Sequence, residues 1–255
     1  MIKPVVVRGV AIGEGIPKIC VPIVGNTREE ILAAAEECKK LPLDVVEWRA
    51  DWYDQVLELE ETLETARKLR TVLGEIPLLF TFRTKKEGGE KAISVREYSA
   101  LNSQMIKSGY ADLIDIEYFM GKEVLERLMS LAKENRVKTV LSSHDFEKTP
   151  SRKEMLLCLK AMEEAGADIA KLAVMPRRKE DVTELLAATA EAAGCLSCPV
   201  ITMSMGKEGM ISRISGETFG CAVTFGSLGK TSAPGQIELH ALRQVLSILH
   251  EAHKG

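Results

Sequence analysis

The sequence lacks a strong charge of either sign and lacks long apolar runs. Its 34 basic and 37 acidic residues leave a formal net charge of -3, so electrostatics give no reason to expect nucleic acid or an anionic membrane as a partner. No stretch approaches the roughly 18 uninterrupted apolar residues of a membrane span. The short apolar run near the N-terminus is broken by Arg8, Gly13 and Glu14, which argues against a signal peptide. We therefore expect a cytoplasmic protein that acts on a small molecule.

Cysteine is sparse and lies in apolar surroundings. The chain has six cysteines, most of them inside runs such as KICVPIV and GCAVTF, which is typical of reduced packing residues rather than disulfides. Cys195 and Cys198 form one C-x-x-C pair, which would suit a redox site or half of a zinc site. Because no second pair or nearby histidine completes it, we expect no metal site there.

Short apolar segments alternate with helical patterns along the chain. The length of 255 residues and the hydrophobic content of 45% suit one barrel domain over residues 1–255. Eight segments rich in Val, Ile and Leu have the composition of parallel strands covered on both faces, and they begin at Lys18, Leu43, Leu78, Asp112, Val137, Asp168, Pro199 and Cys221. This alternation predicts an α/β fold, a closed (β/α)8 TIM barrel, although a doubly wound open sheet shares the local pattern.

The segments between the predicted strands carry signals for the ends of helices. Capping boxes begin at Thr27 and Ser94, and Thr149 before Pro150 suggests another helix start. Residues 1–17 contain two β-prone pieces, from which we predict an N-terminal β-hairpin that closes the barrel floor. Glycines predict where helices end, at Gly74, Gly109, Gly166 and Gly194.

Polar residues interrupt the strand pattern near the carboxyl ends of the strands. In a barrel these ends surround the site where chemistry occurs. We therefore expect the interrupting side chains to lie around one site: Glu47 and Arg49 in strand two, Arg83 after strand three, Glu117 in strand four, His144 after strand five and Lys171 inside strand six.

Lys171 lies between Ala170 and Leu172 in an apolar strand. An unpaired ammonium is costly to bury, so this lysine needs a carboxylate partner or a reason to be neutral. Schiff-base chemistry supplies such a reason, because a neutral amine attacks a ketone. Desolvation and nearby cations lower the pKa of a lysine, and the candidate cations are Arg49, Arg83 and Arg213. A structural ion pair with Glu47 or Glu117 explains the residue equally well at this point.

Two further groups have the chemistry of a catalytic site. His144, in SSHDF, titrates near neutral pH and could move a proton to or from a bound substrate, or could simply be a hydrogen-bonded loop residue. Glu87, in RTKKEGG, could hold or tune the imidazole, or could be a solvated loop carboxylate. Arg213 and the segment Ser232 to Gln236 suit a carboxylate ligand, because guanidinium binds it bidentately. Met203 and Met205 would form an apolar wall beside the lysine or pack in the core.

The sequence resembles the type I 3-dehydroquinate dehydratases over nearly its whole length. Seven pieces carry the resemblance, and they occur in the family's order. They are EWRAD at Glu47, TFRTKKEGG from Thr81, DIEY at Asp115, SSHDF ending at Phe146, AKLAVMP around Lys171, MSMGKEGMISR through Arg213 and TSAPGQ ending at Gln236.

The resemblance implies a metal-free and cofactor-free lyase of the shikimate pathway, commonly a homodimer. It implies that Lys171 forms an imine with the ketone of 3-dehydroquinate, that His144 is the general acid and base, and that Glu87 orients His144. By the same resemblance, Arg213, Ser232 and Gln236 hold the substrate carboxylate, and the ring hydroxyls are bound by Glu47, Arg49 and Arg83. Two alternatives stay open: a Schiff-base aldolase acting on a sugar phosphate, and a noncatalytic barrel that binds a ligand or metal.

Overall fold

The computed structural model describes residues 2–228 and 235–254, so the predicted site residue Ser232 lies outside the described part of the chain. The strands are β1 Val5–Val7, β2 Val10–Ile12, β3 Lys18–Ile23, β4 Val45–Arg49, β5 Leu78–Thr81, β6 Leu113–Glu117, β7 Lys138–Asp145, β8 Ile169–Val174, β9 Val200–Ser204, β10 Val223–Ser227 and β11 Ile237–Glu238. The α-helices are α1 Arg28–Cys38, α2 Leu59–Leu73, α3 Val95–Ser108, α4 Lys122–Glu134, α5 Arg152–Glu164, α6 Lys179–Cys195, α7 Ile211–Ile214, α8 Gly216–Phe219 and α9 Leu239–Lys254.

The strands β3 to β10 form the predicted parallel barrel. They pair in the order β10-β3-β4-β5-β6-β7-β8-β9, and the two-residue β11 adds to β10. The ends of this curled sheet meet through a parallel bridge between Val200 and Cys221, where the Ala222 N–H donates to the Val200 carbonyl at 2.8 Å. Each of the eight apolar segments identified in the sequence therefore overlaps one barrel strand, and β7 and β10 extend two residues beyond theirs.

Alternate residues of each strand belong to two separate apolar clusters, because side chains along a strand point to opposite faces. The outward residues, such as Trp48 and Phe80, pack with the helices. The inward residues fill the barrel, and they include Val45, Leu79, Leu113, Val140, Ile169, Ile201 and Val223. Val5, Val7 and Ile12 of the antiparallel β1–β2 hairpin join this inner cluster. The prediction of a hairpin that closes the barrel floor is confirmed.

Two of the predicted helix boundaries are wrong. α5 begins after Ser151 rather than at Thr149, because Ser151 and Glu154 form a complete capping box while the Thr149 hydroxyl donates to the Met175 carbonyl. α6 continues through Gly194 to Cys195. A glycine ends a helix when it adopts a left-handed conformation, and Gly194 has no positive φ.

Aspartates fasten the lower ends of the barrel strands to one another. Asp44, Asp112 and Asp168 each precede a strand. Each side chain accepts a hydrogen bond from a backbone N–H at the start of the neighbouring strand, and the donors are Ile19, Leu78 and Thr139 respectively. A carboxylate at this position satisfies a backbone N–H at the strand end and also attracts a basic side chain.

Asp112 is expected to contribute the most, because it also joins the hairpin to the barrel. Its Oδ1 accepts from Arg8 at 2.7 Å and its Oδ2 from Arg70 at 2.6 Å. We expect Asp112→Asn to lower the free energy of unfolding by about 2 kcal/mol, measured by urea denaturation. Glu75→Gln is the matched control, because Glu75 contacts the same Arg8 at 3.4 Å from a side chain that is 89% exposed and should change stability by less than about 0.5 kcal/mol. Equal effects of the two variants would contradict this role.

Within residues 2–228 and 235–254, no helix is both long enough and apolar enough to cross a membrane. The same residues contain no group of three or more His, Cys, Asp or Glu side chains placed to hold a metal ion.

Candidate active site

The inward side chains halfway up the barrel form a ring that is polar on one side and apolar on the other. Each lies two residues beyond one of the inward residues that fill the barrel, such as Val45 or Leu79, and side chains two residues apart on a strand point to the same face. The polar part runs from β4 to β8 and the apolar part completes it on β9, β10 and β3, in the order Glu47, Thr81, Asp115, Ser142, Lys171, Met203, Phe225 and Pro22. The single lysine of this ring therefore lies at the boundary between its two halves.

The Lys171 side chain is buried with its amine between two carboxylates. Its Nζ lies 3.2 Å from Asp115 Oδ2 and 3.6 Å from Glu47 Oε1, and 4.8 Å from the centre of the Phe225 ring. The ion pair with Glu47 that the sequence suggested is present, whereas Glu117 bonds to Arg83 and Thr84 instead. The sequence also offered Arg49, Arg83 and Arg213 as cations near this amine, and the structure places two carboxylates in contact with it.

Arg83 is the centre of the buried charge network above the lysine. Its Nη2 donates to Asp115 at 2.8 Å, and its Nη1 donates to Glu117 at 3.0 Å, to Ser142 at 3.1 Å and to Glu87 at 3.3 Å. Burial alone would lower the pKa of Arg83, but the three carboxylates outweigh it and raise that pKa. The guanidinium therefore stays charged and holds the carboxylates in place.

Arg49 is held at the cavity by Asp51, a residue that the sequence analysis did not single out. The guanidinium donates from Nε and Nη2 to the two Asp51 oxygens, each at 2.8 Å. The fully buried Asp51 also accepts from the backbone N–H of Glu90 at 3.1 Å. This bidentate contact fixes the plane of the Arg49 side chain.

Glu87 lies above His144 because a 3-10 turn, Lys85–Glu87, folds the third connection over the barrel. Glu87 Oε2 lies 2.9 Å from His144 Nδ1 and also accepts from the His144 backbone N–H at 3.1 Å. The turn ends at Gly88 in a left-handed conformation with φ 80°, and a Cβ there would lie 2.3 Å from the Phe146 ring. When Nδ1 donates to the carboxyl oxygen, the lone pair of the imidazole is on Nε2.

The two titrating groups of this pair are shifted in opposite directions. Burial lowers the pKa of His144 well below 6.5, and the charges of Arg83, Lys171 and Arg49 lower it further. Burial raises the pKa of Glu87 from 4.5 to about 8, although Arg83 opposes the rise. At neutral pH the imidazole is therefore neutral and able to accept a proton.

The raised pKa of Glu87 predicts how stability depends on pH. The folded chain binds this proton more tightly than the unfolded chain, so the resulting stability is fully present below about pH 4.5 and is lost as the pH rises to about 8. Glu87→Gln has no proton to lose. The difference in unfolding free energy, variant minus parent, should therefore rise as the pH rises through this range, by at most about 1.4 kcal/mol per pH unit. A pH series of urea denaturation curves measures it, and a constant difference would contradict the assignment.

A small cavity opens above the lysine. Ten of the eleven predicted site residues line it, namely Glu47, Arg49, Arg83, Glu87, His144, Lys171, Met203, Met205, Arg213 and Gln236. The eleventh, Ser232, is outside the described residues. The apolar side chains Phe146 and Phe225 also line the cavity. The arrangement places an amine, a neutral imidazole and several cations around one small volume.

Arg213 supplies a buried positive charge on the wall of the cavity. It lies in α7, is 2% exposed, and its carbonyl accepts from the Thr224 hydroxyl at 2.8 Å. Burial lowers the pKa of Arg213 to about 10, so the guanidinium is charged at neutral pH. An anionic group on a ligand would be attracted to this wall.

Asp115 is the main site residue that the sequence analysis missed. Its signal was present, because Asp115 is a carboxylate in an apolar strand and has the same inward parity as Glu117. Ser142 and Thr81, which hydrogen-bond to the carboxylates of the ring, were missed because small polar residues are common in strands and carry little signal by themselves.

Comparison with known proteins identifies the family. The model of the type I 3-dehydroquinase family matches residues 19–253. The chain belongs to this family. It is 48% identical over 252 residues to the 3-dehydroquinate dehydratase of Clostridium botulinum, covering 98% of this chain and 99% of the relative. It is 46% identical over 253 residues to that of Clostridioides difficile, covering 99% of both chains.

Solved structures of family members have the same fold. The type I 3-dehydroquinate dehydratase of Clostridium difficile, solved with covalently modified comenic acid, superposes with a TM-score of 0.97 at 46% identity, covering 99% of this chain and 100% of the other. The 3-dehydroquinate dehydratase of Geobacillus kaustophilus gives a TM-score of 0.95 at 43% identity, with coverage of 98% and 97%. The barrel of this chain is therefore the barrel of a type I 3-dehydroquinase.

Proposed function

We propose that this chain is a hydro-lyase that converts 3-dehydroquinate to 3-dehydroshikimate through a Schiff base on Lys171, with His144 as the general acid and base. Relatives of nearly equal length that are 46% and 48% identical carry the name 3-dehydroquinate dehydratase, which supports the substrate. The observation that carries the mechanism is the buried Lys171 amine at the base of a cavity whose wall also holds the neutral imidazole of His144.

In the first step Lys171 Nζ gives up an ammonium proton and attacks the C3 carbonyl carbon of the substrate. A C–N bond forms, the carbonyl oxygen leaves as water, and a cationic iminium remains on Nζ. The iminium withdraws electrons from C2 and so acidifies its proton. Asp115 and Glu47 at 3.2 and 3.6 Å from Nζ provide negative charge beside this cation.

His144 then moves the protons of the elimination. Its Nε2 takes the proton from C2, the electron pair of the C–H bond forms a C2=C3 double bond, and the π pair of the C=N bond moves onto Nζ to give a neutral enamine. The enamine expels the C1 hydroxyl, which receives the proton from His144 and leaves as water. Addition of water to the resulting conjugated iminium releases 3-dehydroshikimate and restores the amine. Glu87 keeps the imidazole in the tautomer that this cycle needs.

The remaining residues of the cavity bind and orient the substrate. Arg213 and Gln236, together with Ser232, hold the substrate carboxylate, because a buried guanidinium supplies charge and the neutral side chains add hydrogen bonds. Glu47, Arg49 and Arg83 face the ring hydroxyls. Met203 and Met205 form an apolar wall against the ring carbons.

Ultraviolet absorbance tests the reaction directly, because 3-dehydroshikimate contains a conjugated enone and 3-dehydroquinate does not. We expect absorbance to grow when the purified chain is mixed with 3-dehydroquinate and no metal or cofactor is added. No growth at substrate concentrations in the millimolar range, or formation of carbon-bond cleavage products as an aldolase would give, would contradict the proposal.

A further inference from the structure

We propose that Asp115 is the dedicated counter-ion of the Lys171 nitrogen, which stabilises the cationic iminium and so speeds the steps that create positive charge on Nζ. This proposal rests on the proposed Schiff-base function and adds a catalytic residue to it. Asp115 meets that description because its carboxylate contacts Nζ, the atom that forms and breaks the bond to the substrate.

The two oxygens of the Asp115 carboxylate have different partners. Oδ1 accepts from Ser142 Oγ at 2.6 Å and from Arg83 Nη2 at 2.8 Å, whereas Oδ2 faces Lys171 Nζ at 3.2 Å. Asp115 is also completely buried. One oxygen is therefore anchored by two donors, and the other is directed at the amine without freedom to turn away.

Glu47 also contacts the amine, but its environment is different. Its Oε1 lies 3.6 Å from Nζ and accepts from Thr81 at 2.9 Å, and its side chain lines the substrate cavity. Asp115 does not line that cavity. A ligand in the cavity would compete with Lys171 for Glu47, whereas Asp115 contacts the nitrogen from the barrel interior whether or not substrate is bound.

The charge state of Asp115 suits a counter-ion. Burial alone would raise the pKa of Asp115, but Arg83, Lys171 and the Ser142 hydrogen bond outweigh it and lower that pKa. The carboxylate therefore stays ionised. A cationic nitrogen inside an apolar barrel is unfavourable unless it is paired, and on the opposite side of the ring Met203 and Phe225 offer no compensating carboxylate.

The counter-ion assists particular steps of the cycle. Positive charge appears on the nitrogen when the iminium forms and again when the neutral enamine expels the C1 hydroxyl. Removal of the C2 proton instead neutralises the nitrogen. Loss of the Asp115 charge should therefore slow imine formation and hydroxyl loss, so that the enamine returns more often to substrate by taking a proton back at C2.

Asp115→Asn tests this assignment because the amide keeps the size of the side chain and removes its charge. We expect kcat to fall about 100-fold, with KM changed less than about threefold because Asp115 does not line the cavity. With 3-dehydroquinate and borohydride, a smaller fraction of chains should carry an adduct on Lys171. In deuterated water, 3-dehydroquinate recovered from the reaction should contain more deuterium at C2 per turnover than with the parent enzyme.

Glu117→Gln is the matched control. Glu117 lies on the same strand with the same inward parity and also pairs with Arg83, at 3.0 Å, but its other bonds go to Thr84. A disturbed Arg83 would affect both variants, whereas loss of the iminium counter-ion affects only Asp115→Asn. At saturating 3-dehydroquinate we expect the adduct fraction to fall, and the deuterium per turnover to rise, more in Asp115→Asn than in Glu117→Gln.

The possible results separate this proposal from the one on which it rests. Identical adduct fractions and deuterium incorporation in Asp115→Asn and Glu117→Gln would overturn the role of Asp115 while leaving the Schiff base intact. Absence of any Lys171 adduct in the parent enzyme would overturn both. If Asp115→Asn does not fold, Ser142→Ala serves instead, because it removes one of the two donors that anchor Oδ1. This variant should lower kcat several-fold and should also increase the deuterium at C2 of recovered 3-dehydroquinate. Deuterium incorporation equal to that of the parent enzyme would overturn the proposal.

Discussion

Lys171→Met is expected to lower the turnover of 3-dehydroquinate by roughly 10⁵-fold or more. The thioether has a similar length and apolar stem but has no amine with which to form an imine, and removal of a covalent nucleophile has effects of this size in other enzymes. Binding should survive, because Arg213 and the polar side of the cavity remain. Enone absorbance measures the turnover, and calorimetry with 3-dehydroquinate measures the retained binding.

Lys207→Met is the control for this experiment. Lys207 is an exposed lysine in the loop before α7 and is not among the residues that line the cavity. Its replacement should leave kcat within about twofold of the parent. Removal of Lys171 also leaves the buried Asp115 and Glu47 without their shared cation, so we expect the variant to unfold at lower urea concentration. Turnover above about 1% of the parent in Lys171→Met would contradict the covalent mechanism.

His144→Asn is expected to lower kcat by about 10⁴-fold, at the upper end of what a general acid or base contributes, because we propose that the same imidazole makes several proton transfers. The amide keeps a polar group near Glu87 but cannot accept the C2 proton. Lys171 is untouched, so borohydride should still trap an adduct in this variant. The adduct should carry the mass of the unreacted substrate imine, because elimination follows the blocked step.

His240→Asn provides the comparison for His144. His240 is exposed at the start of α9, and its replacement should leave turnover unchanged. If His144→Asn retained more than about one tenth of the parental kcat, another group would have to be the base. If the trapped adduct had instead lost the mass of water, elimination would not depend on His144.

The barrel and the contents of its cavity were predictable because both follow from the period of two along a strand. Inward and outward residues alternate, so the polar interruptions at Glu47, Arg83 and Lys171 could be assigned to one site from the sequence alone. The family motifs then suggested the chemical roles that we propose for these residues. The hairpin followed from two β-prone pieces with little sequence between them.

The partner of the lysine could not be predicted in the same way. The sequence suggested Glu47 or Glu117, and the structure adds Asp115, which is closer to Nζ than Glu47 is, while Glu117 bonds to Arg83. Strands of a barrel are tilted and staggered, so the height of a residue on one strand relative to another depends on register around the whole ring. A single sequence does not contain that register, and a shift of two residues along β6 exchanges Asp115 for Glu117.

The ends of helices depended on competing local bonds. Thr149 has the chemistry of a cap, but its hydroxyl is used by the Met175 carbonyl, and Ser151 with Glu154 provides the cap instead. Such a choice is made by a contact between two connections of the barrel. The contact of Thr149 is visible only in the folded chain, whereas the S-x-x-E pattern at Ser151 is present in the sequence.

Borohydride reduction in the presence of 3-dehydroquinate, followed by mass mapping of the peptides, tests the central claim most directly. Reduction converts an iminium into a stable secondary amine and so records which nitrogen carried the substrate. We expect the adduct on the peptide that contains Lys171, and no adduct in the Lys171→Met variant. An adduct on Lys207 or Lys230, or no adduct under conditions in which the enone forms, would contradict the Schiff base on Lys171.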